Sequence, residues 1–272
     1  MVQNTEDTRL KVCTTIWRNK MKKYKNPPIV EALCEFQFIP GQPWDITIPG
    51  IIYEKIKNQF PEKKQQMGIG LGIKPREAQL ESKIEMLPSR MQFLRHDKKA
   101  LIQIGLDLLV VNHLKPYPHW ENFKPMILEN FKIYLWVAKP RGIRRVGLRY
   151  INRIDFESAE IELESYFKFY PKLVSDLPQV YETFIAKVEI PYEEQRDKLI
   201  LSLTTAVPER PGMISIILDL DYAMVKPEAV PLDDIETWIE KAHTNLENAF
   251  EACITDKCRE LFGEEGGNNG CE

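Results

Sequence analysis

Alternating apolar and polar positions mark the first regular element of the chain. In Val30–Phe38 every second residue is apolar, while Glu31, Glu35 and Gln37 occupy three of the intervening positions. A period of two predicts a β-strand with one buried and one polar face. Apolar residues three and four positions apart then predict a short helix over Pro49–Phe60, which a proline opens.

The rest of the first half shows three more strand patterns and a long helix. A glycine-rich stretch, Gly68–Pro75, precedes them and is interpreted as a connection. A helix of about 15 residues is expected from near Pro125 towards Lys139, where a proline stops it. The predicted strands are Ala78–Met86, Arg90–Arg95 and Leu101–Leu114.

The second half repeats this order of elements. Its final helix begins among acidic residues and ends at Gly263, with apolar residues at three-four spacing. The predicted elements are a strand (Arg145–Phe156), a short helix (Glu160–Phe169), three strands (Tyr181–Tyr192, Lys198–Val207 and Met213–Val225) and a long helix (Asp233–Phe262).

Both halves therefore have the order strand, helix, three strands, helix. A repeated unit of about 115 residues indicates an internal duplication. Neither half easily buries a sheet face alone, whereas two together form one antiparallel sheet with the long helices on one face. The predicted fold class is α+β. We expect a basic N-terminal arm (1–23), a first repeat (24–140), a second repeat (141–263) and a flexible tail (264–272).

Composition, cysteine spacing and the lengths of apolar runs narrow the possible classes of protein. Hydrophobic residues make up 43% of the 272 residues, so wholesale disorder is excluded. With 37 basic against 40 acidic residues, the net charge of −3 argues against a surface built throughout to bind phosphate. The five cysteines contain no CxxC motif, and no apolar run is long enough to span a membrane. We therefore expect a cytoplasmic protein without a membrane partner.

The polar faces of the predicted strands carry the candidate binding residues. Three arginines follow one another at a spacing of four, which keeps them on one side of a strand. In the first half, Gln103, Asp107 and His113 are expected on the polar face. This mixed-charge surface is predicted either to form structural ion pairs or to bind a partner. The candidate partner-binding residues are Arg145, Arg149, Arg153, Glu31, Glu35, Asp219 and Asp221.

No motif predicts a catalytic, metal or cofactor site. The GIGLG sequence at Gly68–Gly72 lacks the preceding strand and following helix of a dinucleotide fingerprint. The four histidines have no metal-binding spacing, and His243 is expected on the solvent-exposed face of the final helix. The aromatic sequence Tyr117–Phe123 is interpreted as core, with base stacking as the alternative.

Several longer segments stand in an order that resembles a known family. They are NPPIVEALCEFQF (Asn26–Phe38), IPGIIYEKIKNQFP (Ile48–Pro61), VNHLKPYPHWENF (Val111–Phe123), VGLRYINRIDF (Val146–Phe156) and the closing NAFEACITDKCRELFG. Over roughly Tyr24–Gly263 the chain resembles a sporadically distributed, uncharacterised family of bacterial and archaeal proteins. The resemblance supplies no catalytic residues. The patchy distribution of the family implies a role in antiviral defence, one form of which is an accessory protein beside an RNA-guided CRISPR effector.

Three functions remain open. The first is a non-enzymatic interaction or regulatory protein of a prokaryotic antiviral defence system, which binds a protein encoded nearby through the mixed-charge face. The second is a nucleic-acid-binding module that uses the arginine row and the basic arm. The third is a divalent-metal-dependent enzyme with Glu31, Glu35, Asp219 and Asp221 around the metal ion. We prefer the first because the sequence shows neither a catalytic constellation nor a cofactor motif.

Overall fold

The computed structural model describes residues 23–76 and 79–263, and side chains are described for these residues outside 67–89. The predicted basic arm, apart from Lys23, and the predicted tail lie outside these residues. In the described part of the chain, no helix is long and apolar enough to cross a membrane. The elements in chain order are β1 (Ile29–Ile39), α1 (Ile48–Ile56), β2 (Glu62–Arg76), β3 (Gln79–Leu94), β4 (Ala100–Gly105), β5 (Leu108–Leu114), α2 (Trp120–Ala138), β6 (Gly142–Phe156), α3 (Leu163–Tyr166), β7 (Ile185–Tyr192), β8 (Asp197–Ala206), β9 (Ile214–Met224), α4 (Ile235–Cys253) and α5 (Asp256–Glu260).

These strands form one nine-stranded sheet in the order β2-β3-β4-β5-β1-β6-β9-β8-β7. Every neighbouring pair is antiparallel. β1 and β6, which open the two predicted halves, are neighbours inside the sheet, and each half extends outward from them in reverse chain order. The prediction of an α+β fold with an antiparallel sheet is therefore confirmed.

The first half contains one strand more than predicted. Interpreting Gly68–Pro75 as a connection is wrong, because these residues belong to β2 and pair along their length with β3. Glycine alternates there with isoleucine and leucine, so the period of two is present but lacks the polar residues that normally reveal it. The predicted strands Ala78–Met86 and Arg90–Arg95 belong to one strand, β3. Pro88 lies between them at a bulge, where the pairing with β2 shifts in register.

A tight hairpin divides the predicted strand Leu101–Leu114 into β4 and β5. Its turn contains Leu106 and Asp107, and Asp107 adopts a positive φ of 51°. This turn changes which residues share a face. Asp107 therefore leaves the strand, and His113 pairs opposite Ala32 on the buried face instead of lying on the polar face as expected.

Two predicted helices are shorter in the structure. Only Leu163–Tyr166 is helical within the predicted Glu160–Phe169. The predicted helix Asp233–Phe262 is interrupted at Ile254, whose backbone is extended. Thr255 then begins α5, where its side chain accepts a hydrogen bond from the backbone N–H of Cys258 over 3.3 Å.

The main core lies between one face of the sheet and the long helices. Phe36 of β1 and Phe131 of α2 have ring centroids 4.8 Å apart. Tyr222 of β9 and Trp238 of α4 lie 5.8 Å apart. Pairing across β6 places Phe36 and Tyr222 on the same face of the sheet, and both are fully buried. The opposite face, called the open face below, keeps the charged side chains of its central strands part-exposed.

Candidate functional site

A row of hydrogen-bonded amides crosses the first half of the open face. Gln92 of β3 donates through Nε2 to Oε1 of Gln66 on β2 over 3.0 Å and to Oε1 of Gln103 on β4 over 3.3 Å. Gln103 donates to Oδ1 of Asn112 on β5 over 2.9 Å, and Asn112 donates to Oε1 of Glu31 on β1 over 2.6 Å. The row thus ties five strands together and ends on a carboxylate.

Ion pairs continue this network into the second half. Arg145 of β6 donates through Nη1 to Glu35 over 3.1 Å and through Nη2 to Asp221 over 2.9 Å. It therefore joins β1 and β9 across β6. Gly147 makes this path possible, because a Cβ atom at that position would lie 2.8 Å from Nη1 of Arg145.

The other two arginines of the row are also engaged. Arg149 binds Asp219 with both Nε and Nη2, over 2.7 and 2.5 Å. Arg153 binds Asp155 through Nε over 2.9 Å and the hydroxyl of Ser215 through Nη2 over 2.8 Å. Paired contacts of this kind fix the plane of a guanidinium group as well as its position. The arginine row is therefore held in place by its own strand neighbours.

The centre of the open face, formed by β1, β6 and β9, is acidic. Three arginines lie among five carboxylates: Glu31, Glu35, Asp155, Asp219 and Asp221. Burial raises the pKa of Asp221, although Arg145 and Arg149 beside it act in the opposite direction. The hydrogen bonds that Arg149 donates to Asp219 raise the pKa of Arg149. Such a face offers fixed hydrogen-bonding groups without an excess of positive charge.

All seven predicted partner-binding residues lie on this open face. Six of them take part in ion pairs, and Glu31 instead accepts from Asn112. Their role in binding a partner stays a prediction. The carboxylates of the metal hypothesis do not gather at one point: among the residues whose side chains the structure describes, no group of three His, Cys, Asp or Glu could hold a metal ion.

The sequence reasoning missed six residues of this network: Gln66, Gln92, Asn112, Asp155, Ser215 and Gly147. Asn112 was hidden by the hairpin between β4 and β5, since treating Leu101–Leu114 as one strand puts His113 on the polar face in its place. Gly147 has no side chain to mark a face. Its position between two arginines in the sequence RRVGLRY was the available signal.

A second candidate site is a cavity of about 450 Å³ on the helix side of the sheet. It is bounded by the segment 23–29, by β6, by the start of α2 and by α4. Aromatic rings form much of its wall: Tyr24, Tyr117, Trp120, Tyr150 and Phe250. A cavity of this size with apolar walls and a few polar groups is the usual form of a small-molecule site.

A chain of hydrogen-bonded side chains runs along the cavity wall. Tyr117 donates to the hydroxyl of Tyr150 over 3.3 Å, and that hydroxyl lies 2.8 Å from Nδ1 of His243. Nε2 of His243 lies 3.3 Å from Oε1 of Glu247. Burial lowers the pKa of His243 to about 4, so the ring is neutral near pH 7. In the tautomer that satisfies both contacts, Nδ1 accepts from Tyr150 and Nε2–H donates to Glu247.

Four carboxylates line the same cavity, and Glu247 differs from the other three. Its second oxygen, Oε2, is buried and has no hydrogen-bond partner among the described residues. Burial raises the pKa of Glu247 to about 7. The other three have cationic partners: Glu121 with Lys23, Glu240 with Lys124 over 2.9 Å, and Glu251 with Arg259 over 2.7 Å.

The structure corrects the expectation for His243. Its exposed fraction is only 5%, and it stacks on Trp120 with centroids 4.1 Å apart. His243 follows Ile239 by four residues and Ala242 by one, so the apolar stripe of α4 was wide enough to include it. Within Tyr117–Phe123, Phe123 is buried as expected, whereas Tyr117 and Trp120 line the cavity.

Comparison with models of known protein families finds no match for this chain, and comparison with curated proteins finds none either. The resemblance to a sporadically distributed prokaryotic family therefore rests on the sequence segments alone. The role in defence that it implies stays a prediction.

Proposed function

We propose that this chain is a non-enzymatic interaction or regulatory component of a prokaryotic antiviral defence system, which binds a protein partner through the open face. The observation that carries the proposal is the network on that face. Its arginines, carboxylates and amides are held by one another, so their donors and acceptors are already arranged before a partner arrives. Preorganised polar groups lower the cost of forming an interface.

The acidic balance at the centre of the open face, on β1, β6 and β9, favours a protein partner over nucleic acid. Phosphate binding needs Lys and Arg side chains that are free to replace counterions. Arg145, Arg149 and Arg153 already bind carboxylates of this face. A partner with hydrogen-bond donors and basic side chains complements the surplus carboxylates better.

The proposal also includes an internal duplication of the chain and its cellular compartment. Equivalent positions support an internal duplication: β1 and β6 open the halves at the centre of the sheet, and β5, β4 and β3 occupy the places that β9, β8 and β7 occupy on the other side. In this scheme β2 is an addition to the first repeat, and the long helices α2 and α4 correspond and lie on one face. We place the protein in the cytoplasm, where its buried free cysteines Cys34, Cys253 and Cys258 stay reduced.

The proposal is tested by purifying the full chain, tagged and expressed with its genomic neighbours, at low and high salt. We expect one neighbouring protein to co-purify in a fixed ratio with no nucleic acid. Nucleic acid that is released steeply by salt, in the absence of a protein partner, would support the module of the second hypothesis instead. A chain that purifies alone, or that turns over a substrate alone, would contradict the proposal.

A further inference from the structure

The aromatic cavity on the helix side has no part in the open-face proposal. It lies across the sheet from the arginine row, and its lining comes from four separate parts of the chain. Its volume of about 450 Å³ falls within the usual range for small-molecule sites, roughly 300–1,000 Å³. The cavity therefore calls for an explanation of its own.

Its aromatic wall is held in place by contacts among the lining residues themselves. Trp120 stacks on His243 with the two rings 14° from parallel, and its Nε1 lies 3.2 Å from Oε2 of Glu240. Tyr24 packs edge-on against Phe250, and its hydroxyl donates to Glu251 over 2.5 Å. Rings with fixed positions offer flat apolar faces at a low entropic cost to a bound molecule.

The polar groups of the cavity select for positive charge. Lys23 is the only Lys or Arg side chain among the described lining residues, and it contacts Glu121. Glu247 contacts only the neutral ring of His243 through Oε1, and its Oε2 is an unsatisfied acceptor among the described residues. A bound anion would meet four carboxylates here, whereas a cation would meet Glu247, for which the described residues show no ion pair with a Lys or Arg side chain.

We infer that the cavity binds a small organic cation, in which an ammonium group contacts Glu247 and an apolar or aromatic body packs against Trp120, Tyr117 and Phe250. Carboxylates and aromatic faces together are the groups that recognise alkylammonium ions in water-excluded sites. A metal ion fits less well, since no described group of three His, Cys, Asp or Glu side chains could hold one. The inference stands apart from the proposed function, because neither needs the other.

Calorimetric titration of the full chain with phenethylamine tests this inference. Two compounds with the same aromatic body serve as controls: neutral 2-phenylethanol and anionic 3-phenylpropionate. The titration is done near pH 8, because the pKa of Glu247 is raised to about 7 and the carboxylate must be ionised. We expect phenethylamine to bind at least about tenfold more tightly than phenylethanol, and phenylpropionate not to bind.

Variants locate the site. Glu247→Gln is expected to weaken phenethylamine binding at least about tenfold. Trp120→Leu is expected to weaken it as well, because it removes an aromatic ring that packs against the ligand. The matched control Glu260→Gln, at an exposed position on α5, is expected to bind as the unmodified chain does. Two results would overturn the inference: phenylethanol binding as tightly as the amine, or equal amine binding by Glu247→Gln and the unmodified chain. Absence of binding by phenethylamine, choline and spermidine would overturn it as well.

Discussion

The guanidinium group of Arg145 lies directly over Gly147, two residues further along the same face of β6. A Cβ atom at position 147 would come within 2.8 Å of Nη1 and 3.1 Å of Nη2 of Arg145. From this position Arg145 reaches Glu35 on β1 and Asp221 on β9. Because Gly147 has no side chain, Arg145 can lie across it and join the two halves of the open-face network.

A larger side chain at position 147 should break this connection. We expect Gly147→Val to displace Arg145 and to lower the free energy of unfolding by about 1–3 kcal/mol, because the guanidinium loses both carboxylates and β6 is overpacked. Urea denaturation measures the change. In an Arg145→Ala background most of the loss should disappear, since the displaced group is absent.

Gly50→Ala is the control for this substitution, because a Cβ at position 50 meets nothing within 4 Å. Alanine favours helix there by up to about 1 kcal/mol. If Gly147→Val costs the same with and without Arg145, the guanidinium is not what Gly147 accommodates.

Asp197 is a second residue on which the fold depends. Its side chain is fully buried, and it binds Arg196 over 2.6 Å, the hydroxyl of Tyr222 over 3.1 Å and Nε1 of Trp238 over 3.2 Å. Asp197→Ala leaves these donors unpaired, so we expect a loss of about 3–5 kcal/mol in the free energy of unfolding. Asp176→Ala, in an exposed loop, should change it by less than about 0.5 kcal/mol. A small effect of Asp197→Ala in thermal or urea denaturation would contradict this account.

Glu247 should make stability depend on pH. Its pKa is about 7 in the folded protein, mainly through burial, with Glu251, Glu121 and Glu240 raising it further and Lys23 lowering it. The ordinary value is about 4.3. Because the folded pKa is the higher one, the contribution of Glu247 to stability is full below about pH 4.3 and is lost as pH rises through 7.

Comparing Glu247→Gln with the unmodified chain isolates this contribution. His243 acts in the opposite direction, since its pKa is lowered to about 4, so its contribution is present above about pH 6.5 and is lost as pH falls. The contribution of His243 is present in both proteins, so it largely cancels in the difference between their stabilities. We expect the stability of the variant relative to the unmodified chain to rise by about 1–2 kcal/mol between pH 4.5 and 8, a range reduced for the part-exposure of the side chain. A difference that does not change with pH would show that Glu247 titrates normally.

The polar strand faces of the second half could be predicted because each strand there is regular. Arg145, Arg149 and Arg153 share a face with Asp219 and Asp221 by simple alternation, and the structure keeps that alternation along β6 and β9. In the first half the alternation failed at Asp107. A two-residue turn there exchanged Asn112 for His113 on the open face, and turn geometry of this kind leaves little trace in a hydrophobic pattern.

The cavity could not be predicted from periodicity, because its walls come from residues far apart in the sequence. Tyr24, Tyr150 and His243 meet only through the pairing of β1 with β6 and the packing of α4 on β6. His243 was misplaced because a histidine beside an apolar stripe is usually solvated. Its hydrogen bond with Tyr150 and its stacking on Trp120 supply the partners that allow its burial.

The most direct test of the open-face proposal is a charge exchange within one ion pair. Arg149→Asp combined with Asp219→Arg keeps an ion pair between β6 and β9 but reverses the pattern that a partner meets. Lys241→Glu with Glu193→Lys exchanges a pair of 2.8 Å on the helix side and serves as the matched control. Each double variant is co-purified with the genomic neighbours, and thermal unfolding confirms that it is folded. We predict that the first exchange abolishes capture of the partner while the control retains it, whereas full capture by a folded Arg149/Asp219 exchange would contradict the account.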